Sequence, residues 1–91
     1  MRIHPDFILR EVAGESILIP VGEASRHLSG LIALNGSGKL LYVLLQTERS
    51  EEELVRAILD TYEVDAETAA ADVAEFLGLL RENRMLIEDA T

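Results

Sequence analysis

The sequence predicts an α+β domain in which a three-stranded antiparallel sheet is followed by three helices. Short β-branched runs broken by Gly and Pro fill the first third of the chain. From Asn35 onward, residues suited to cap helices precede stretches whose apolar positions recur at helical spacing. Three strands cannot close into a barrel, so the one sheet must bury its apolar face against the helices.

Phe7-Ile-Leu-Arg-Glu-Val12 and Ser16-Ile-Leu-Ile-Pro20 flank Ala13-Gly14-Glu15. Gly14 tolerates the positive φ of a tight turn, so the two runs read as a hairpin. Residues 21–25 form a connector punctuated by Pro20 and Gly22, and residues 27–34 supply a third strand without charge at its centre, Leu31 to Leu34. Asn35 is placed to cap a helix reaching about Gln46, although Gly36 and Gly38 weaken its first turn. Ser50-Glu51-Glu52-Glu53 reads as a capping box for a helix over 50–62, with Leu54, Val55, Ile58, Leu59 and Tyr62 on its apolar face. Asp65 opens a helix to about Asn83 with the stripe Val73, Phe76, Leu77 and Leu80. Met85-Leu-Ile87 either returns to the sheet or covers the core.

The 91 residues suffice for one domain, here spanning residues 1–91, and 48% apolar content supports a folded core. With no cysteine, disulfides and thiolate chemistry are absent. The N-terminus lacks a signal-peptide core, and no apolar run approaches the roughly 20 residues of a membrane span, so a cytoplasmic protein is expected. Residues 1–47 carry four acidic and four basic side chains; residues 48–91 carry thirteen acidic and four basic, which accounts for the net charge of −9. That balance disfavours nucleic acid and anionic membranes, whose phosphates need clustered Lys and Arg.

No catalytic constellation is visible, and neither a cofactor nor a metal site is expected. His4 and His27 are the only histidines, and neither has a partner at metal-ligand spacing. The serines fit turns and caps, the Glu51/Glu52 pair suits a helix start, and Gly36-Ser37-Gly38-Lys39 is too short for a phosphate loop. What remains is backbone and apolar surface. Residues 28–34 lack the charge or Pro that usually protects a sheet edge. Ala70, Ala74 and Gly78 recur every four residues beside Val73 and Leu77, a face that another backbone can approach closely. Edge and helix together would make a groove for an extended peptide bound by strand addition, which Ala74→Arg should fill.

The ordered set Pro5-Asp-Phe-Ile-Leu-Arg10, Leu34-Asn35, Leu41-Tyr42-x-Leu44-Leu45, the acidic capped helix 50–62, Asp72-Val73 with Phe76-Leu77-x-x-Leu80, and Met85-Leu86-Ile87 resembles the PqqD family (coenzyme PQQ synthesis protein D) over residues 4–88. The resemblance implies a winged helix-turn-helix-like fold and a non-catalytic recognition element for ribosomally made, modified peptides. The leader segment of the precursor adds beside the third strand and lies against the third helix. The domain then presents the precursor to a modifying enzyme, often of the radical S-adenosylmethionine type. On this chain the implied wall is Leu28, Ser29, Gly30, Leu31, Ile32, Ala33 and Leu34, faced by Ala70, Asp72, Val73, Ala74, Leu77 and Arg81. Gly36-Ser37 stands where the family often has Glu-Thr, and Tyr42 where it often has Trp. Both changes are expected to lie outside the groove, and they favour a relative serving a peptide system other than quinone synthesis.

Two other readings use the same features. A free edge strand can pair with its own copy, making a homodimer or assembly module instead of a monomeric peptide acceptor. A winged helix can also read DNA, but helix 65–83 sets Asp65, Glu67, Asp72, Glu75 and Glu82 against Arg81 alone.

Overall fold

A computed structural model describes residues 1–26 and 32–88 of the chain. Among these residues five strands and three helices follow the order β1 (Arg2–Ile3), β2 (Phe7–Val12), β3 (Glu15–Pro20), β4 (Ile32–Leu34), α1 (Gly36–Leu44), α2 (Glu51–Thr61), α3 (Ala66–Glu82) and β5 (Leu86–Ile87), with a short 3₁₀ turn at Gly22–Arg26. The expected three-stranded antiparallel sheet is β2-β3-β4, in that spatial order. Its register runs from Phe7 opposite Pro20 to Val12 opposite Glu15, then Ser16 opposite Leu34 and Leu18 opposite Ile32. Of the strand expected over 27–34, Ile32–Leu34 is formed, and Leu28, Ser29, Gly30 and Leu31 lie outside the described residues.

The hairpin turn has two central residues, Ala13 and Gly14, at φ +54° and +83°. Turns with both central φ values positive match the twist of paired strands, and glycine or asparagine usually fills them because a Cβ is strained there. Alternation along the strands then sorts the faces. Phe7 and Leu18 are buried, and Leu9, Ile32 and Leu34 pack against the same core.

Each helix begins on the residue that its sequence marked as a cap. The Asn35 side chain accepts from the Gly38 amide at 2.8 Å and from the Ser37 hydroxyl at 2.9 Å. At α2 the capping box closes both ways, Glu53 amide to Ser50 hydroxyl at 3.1 Å and Ser50 amide to Glu53 carboxylate at 3.0 Å. The Asp65 carboxylate accepts from the Thr68 amide at 2.7 Å. The helices bury Leu41, Tyr42, Leu54, Ile58, Ala69, Val73, Phe76, Leu77 and Leu80, and each fully buried large apolar side chain contributes about 1.5–3 kcal/mol. The apolar face of α2 is narrower than its spacing predicts. Only Leu54 and Ile58 are buried; Val55 is half-buried, and Leu59 and Tyr62 are exposed, because a short helix packed mainly on α3 needs one seam.

Helix α3 ends in a Schellman arrangement: the Met85 amide donates to Leu80 O at 2.8 Å and the Arg84 amide to Arg81 O at 3.2 Å. Arg84 takes the left-handed position, φ +56°, where glycine is usual. Met85 is thereby driven fully into the core, and Leu86–Ile87 turns back to pair antiparallel with Arg2–Ile3. This second, two-stranded ribbon contains a strand, β1, that the sequence did not announce. It is tied down by the Ile3 amide to Leu45 O at 2.9 Å and the His4 amide to Met85 O at 2.7 Å.

Candidate functional site

Strand β4 pairs with β3 along one side, and no described strand pairs with its other side. Beyond that free side lies a groove of about 610 Å³. Ala33 and Leu34 of β4 form one wall, continued by Asn35, Ser37, Gly38 and Leu41 at the start of α1. The other wall is one flank of α3: Asp72, Glu75, Phe76, Gly78, Leu79 and Glu82.

The corner where strand becomes helix explains the shape. A Cβ on Gly38 would lie 3.2 Å from the Asn35 side-chain oxygen and 3.4 Å from the Leu34 Cβ, so a side chain there would push the Asn35 cap back by a few tenths of an ångström, and glycine lets the cap and Leu34 close tightly on α1. The floor is apolar, from Leu34, Leu41, Phe76 and Leu79, and the rim along α3 carries carboxylates. Gly78 leaves open space, since a Cβ there meets nothing within 4 Å.

The residues expected to line the site are distributed unevenly. Ala33, Leu34 and Asp72 line the groove, whereas Ile32 packs against the core beside it. Val73 and Leu77 are fully buried and support the wall from behind. Ala70, Ala74 and Arg81 do not line it. Ala74 lies one turn before Gly78 and only about 40° around from it, whereas Ala70 and Arg81 lie on the far flank of α3, roughly 140–160° around the axis from the middle of the Asp72–Glu82 line at 100° per residue. There Arg81 bonds the Glu88 carboxylate through Nη2 at 2.7 Å and Nε at 3.2 Å. That hydrogen bond holds Glu88 below the usual carboxylate range and raises the Arg81 guanidinium further. Ala74 therefore stands at the outer margin of the groove, beside Gly78, rather than within its lining. Ser37 lines the groove, so one departure from the family pattern does fall at the site.

Glu75, Phe76, Leu79 and Glu82 were missed as lining residues although they share a helical stripe with Asp72. The stripe is visible at spacings of three, four and seven, but charged positions on it read equally well as a solvated face.

Elsewhere the titratable groups serve local structure. His4 Nδ1 accepts from the Asp6 amide at 3.0 Å, and its ring meets Phe7 edge-on at 6.1 Å between centroids. Lys39 pairs with Glu11 and holds that carboxyl below its usual range. Among the described residues no group of three or more His, Asp or Glu is placed to hold a metal ion, and no helix is long and apolar enough to cross a membrane. His27 lies outside the described residues.

Fold and site define a small α+β domain whose sheet edge opens onto a helix-walled groove. Over residues 8–86 the chain matches the family described as coenzyme PQQ synthesis protein D (PqqD). The chain belongs to the PqqD family. No curated protein matches. Two solved structures share the fold along nearly the whole chain. One is TbiB1 in complex with the TbiA(beta) leader peptide, at TM-score 0.76 and 25% identity, covering 100% of both chains. The other is lasso peptide synthetase B1 complexed with the leader peptide, at TM-score 0.73 and 22% identity, covering 96% of both chains.

Proposed function

We propose that this domain binds the leader segment of a ribosomally made precursor peptide as an added strand on β4 and presents it to a modifying enzyme. The observation that carries the reading is the juxtaposition of a free strand edge with an apolar-floored groove. Family membership and the leader-peptide complex of TbiB1 support it.

The chemistry is that of strand addition. Main-chain hydrogen bonds to the β4 edge fix direction and register, each contributing about 0.5–1.5 kcal/mol net of water. Alternate peptide side chains then point inward beside Leu34, towards Leu41, Phe76 and Leu79, and the others point to the opposite face of the sheet. A few buried anchors therefore set the affinity. The domain itself performs no bond-making step; it holds the leader while the partner acts on the remainder of the precursor. Radical S-adenosylmethionine enzymes are the partner class that the family resemblance names.

Amide spectra of labelled protein, titrated with precursor peptides encoded beside its gene, test the reading. Saturable shifts should concentrate on Ala33–Gly38 and on the Asp72–Glu82 flank of α3. A folded monomer showing no shifts with any of these peptides rules out leader recognition.

A further inference from the structure

The floor of the groove is apolar, but its α3 rim has one sign of charge. Asp72, Glu75 and Glu82 line it, and among the described residues no Lys or Arg does. None of the three carboxylates has an ion-pair or hydrogen-bond partner among the described residues, whereas Glu11, Glu23, Glu53 and Glu88 are all matched with cations. Glu82 is also the last residue of α3, where the negative end of the helix dipole disfavours a carboxylate. The neighbouring cation Arg81 sits on the far flank and is engaged by Glu88. The groove thus concentrates unneutralised negative charge along one rim of a slot whose floor is apolar.

We infer that the occupant is a basic-apolar peptide strand, with Lys or Arg two residues to either side of an apolar anchor on its inward face. The inference rests on the strand-addition reading and specifies the peptide that it requires. Spacing supports the pattern. Along α3, at about 1.5 Å per residue, the midpoint of Asp72 and Glu75 lies about 13 Å from Glu82. In an extended strand laid along α3, inward positions i and i+4 are also about 13 Å apart, at about 3.3 Å per residue. The side chain at i+2 then falls near Phe76 and Leu79, over the apolar floor. Bringing Lys or Arg to the rim supplies the missing counter-charge, and because the carboxylates are exposed it selects the peptide and speeds encounter more than it deepens affinity.

Phage display of fully randomised dodecapeptides on the immobilised full chain tests this directly. The selected sequences should carry Lys or Arg at i and i+4 around an apolar i+2. Synthetic copies should bind about ten-fold more weakly to the Asp72→Asn/Glu75→Gln/Glu82→Gln variant, and the difference should shrink in high salt. Glu51→Gln/Glu52→Gln/Glu63→Gln removes the same charge elsewhere and should leave affinity within about two-fold. Equal losses in the two variants would show attraction to net charge alone and overturn the inference. Selected peptides that shift the groove amides but lack basic residues would overturn it while leaving strand addition standing. If no peptide is selected, strand addition and this inference fall together.

Discussion

The Tyr42 hydroxyl donates to the Phe7 carbonyl across 3.1 Å, inside the core, and so ties α1 to the first strand of the hairpin. Both residues are buried, and the bond satisfies a phenol and a backbone carbonyl that would otherwise have no partner. Tyr42→Phe keeps the ring and orphans the carbonyl. It should cost about 1–3 kcal/mol, read as a lower urea midpoint with an unchanged slope.

Among the described residues, two backbone positions hold left-handed conformations with a Cβ, Ala13 and Arg84. Ala13→Gly and Arg84→Gly relieve that strain and should each raise stability by about 0.5–1 kcal/mol in urea unfolding. A fall on Arg84→Gly would mean that its side chain makes an interaction outweighing the strain.

Helix α3 contains one glycine, Gly78, whose replacement encounters no neighbouring atom within 4 Å. Gly78→Ala should therefore stabilise the fold by about 1 kcal/mol through helix propensity.

The two flanks of α3 give opposite expectations for peptide binding. Leu79→Arg places a charge on the floor of the groove and should weaken leader binding about a hundred-fold, as loss of a buried anchor does. Ala70→Arg lies on the flank facing away and should leave affinity within about two-fold. Titration calorimetry on both folded variants makes the comparison; the reverse ranking would move the site to the other flank.

Acid should loosen the helix caps. Hydrogen bonds from Thr68 hold Asp65 below the usual carboxylate range, and the Ser50 amide does the same for Glu53. A carboxyl whose value is lowered by folding adds stability that is complete above its ordinary range, about pH 4–5, and is lost as pH falls through the folded value. Asparagine caps as well as aspartate but does not titrate. The stability advantage of the natural chain over Asp65→Asn should thus shrink between pH 6 and pH 3 in parallel urea titrations.

Much of this architecture was legible in the sequence because it is enforced locally. Asn35, Ser50 and Asp65 each sit where a short polar side chain can satisfy free amides, and the structure uses all three. The hairpin followed from β-branched runs about Gly14. The ribbon of β1 and β5 was not legible, since two-residue strands carry no periodicity and their partners lie at opposite ends of the chain. Arg84 gave no stop signal, because arginine has no preference for the left-handed conformation that it takes there. At the groove, the edge strand was visible in its lack of charge, but the flank of α3 that lines the groove was not. The buried stripe Val73-Leu77 fixes which face is inside; only the position of β4 decides which side of it faces the slot.

The ribbon gives the chain the character of a clasp. Hairpin, caps and the α2–α3 pair join residues near one another in sequence, whereas Arg2–Ile3 and Leu86–Ile87 are joined across nearly all the described residues, and contacts of such separation are slow to form. The His4 amide, held by Met85 O, should then be among the last to gain protection during refolding, a single proton that reports closure of the whole chain.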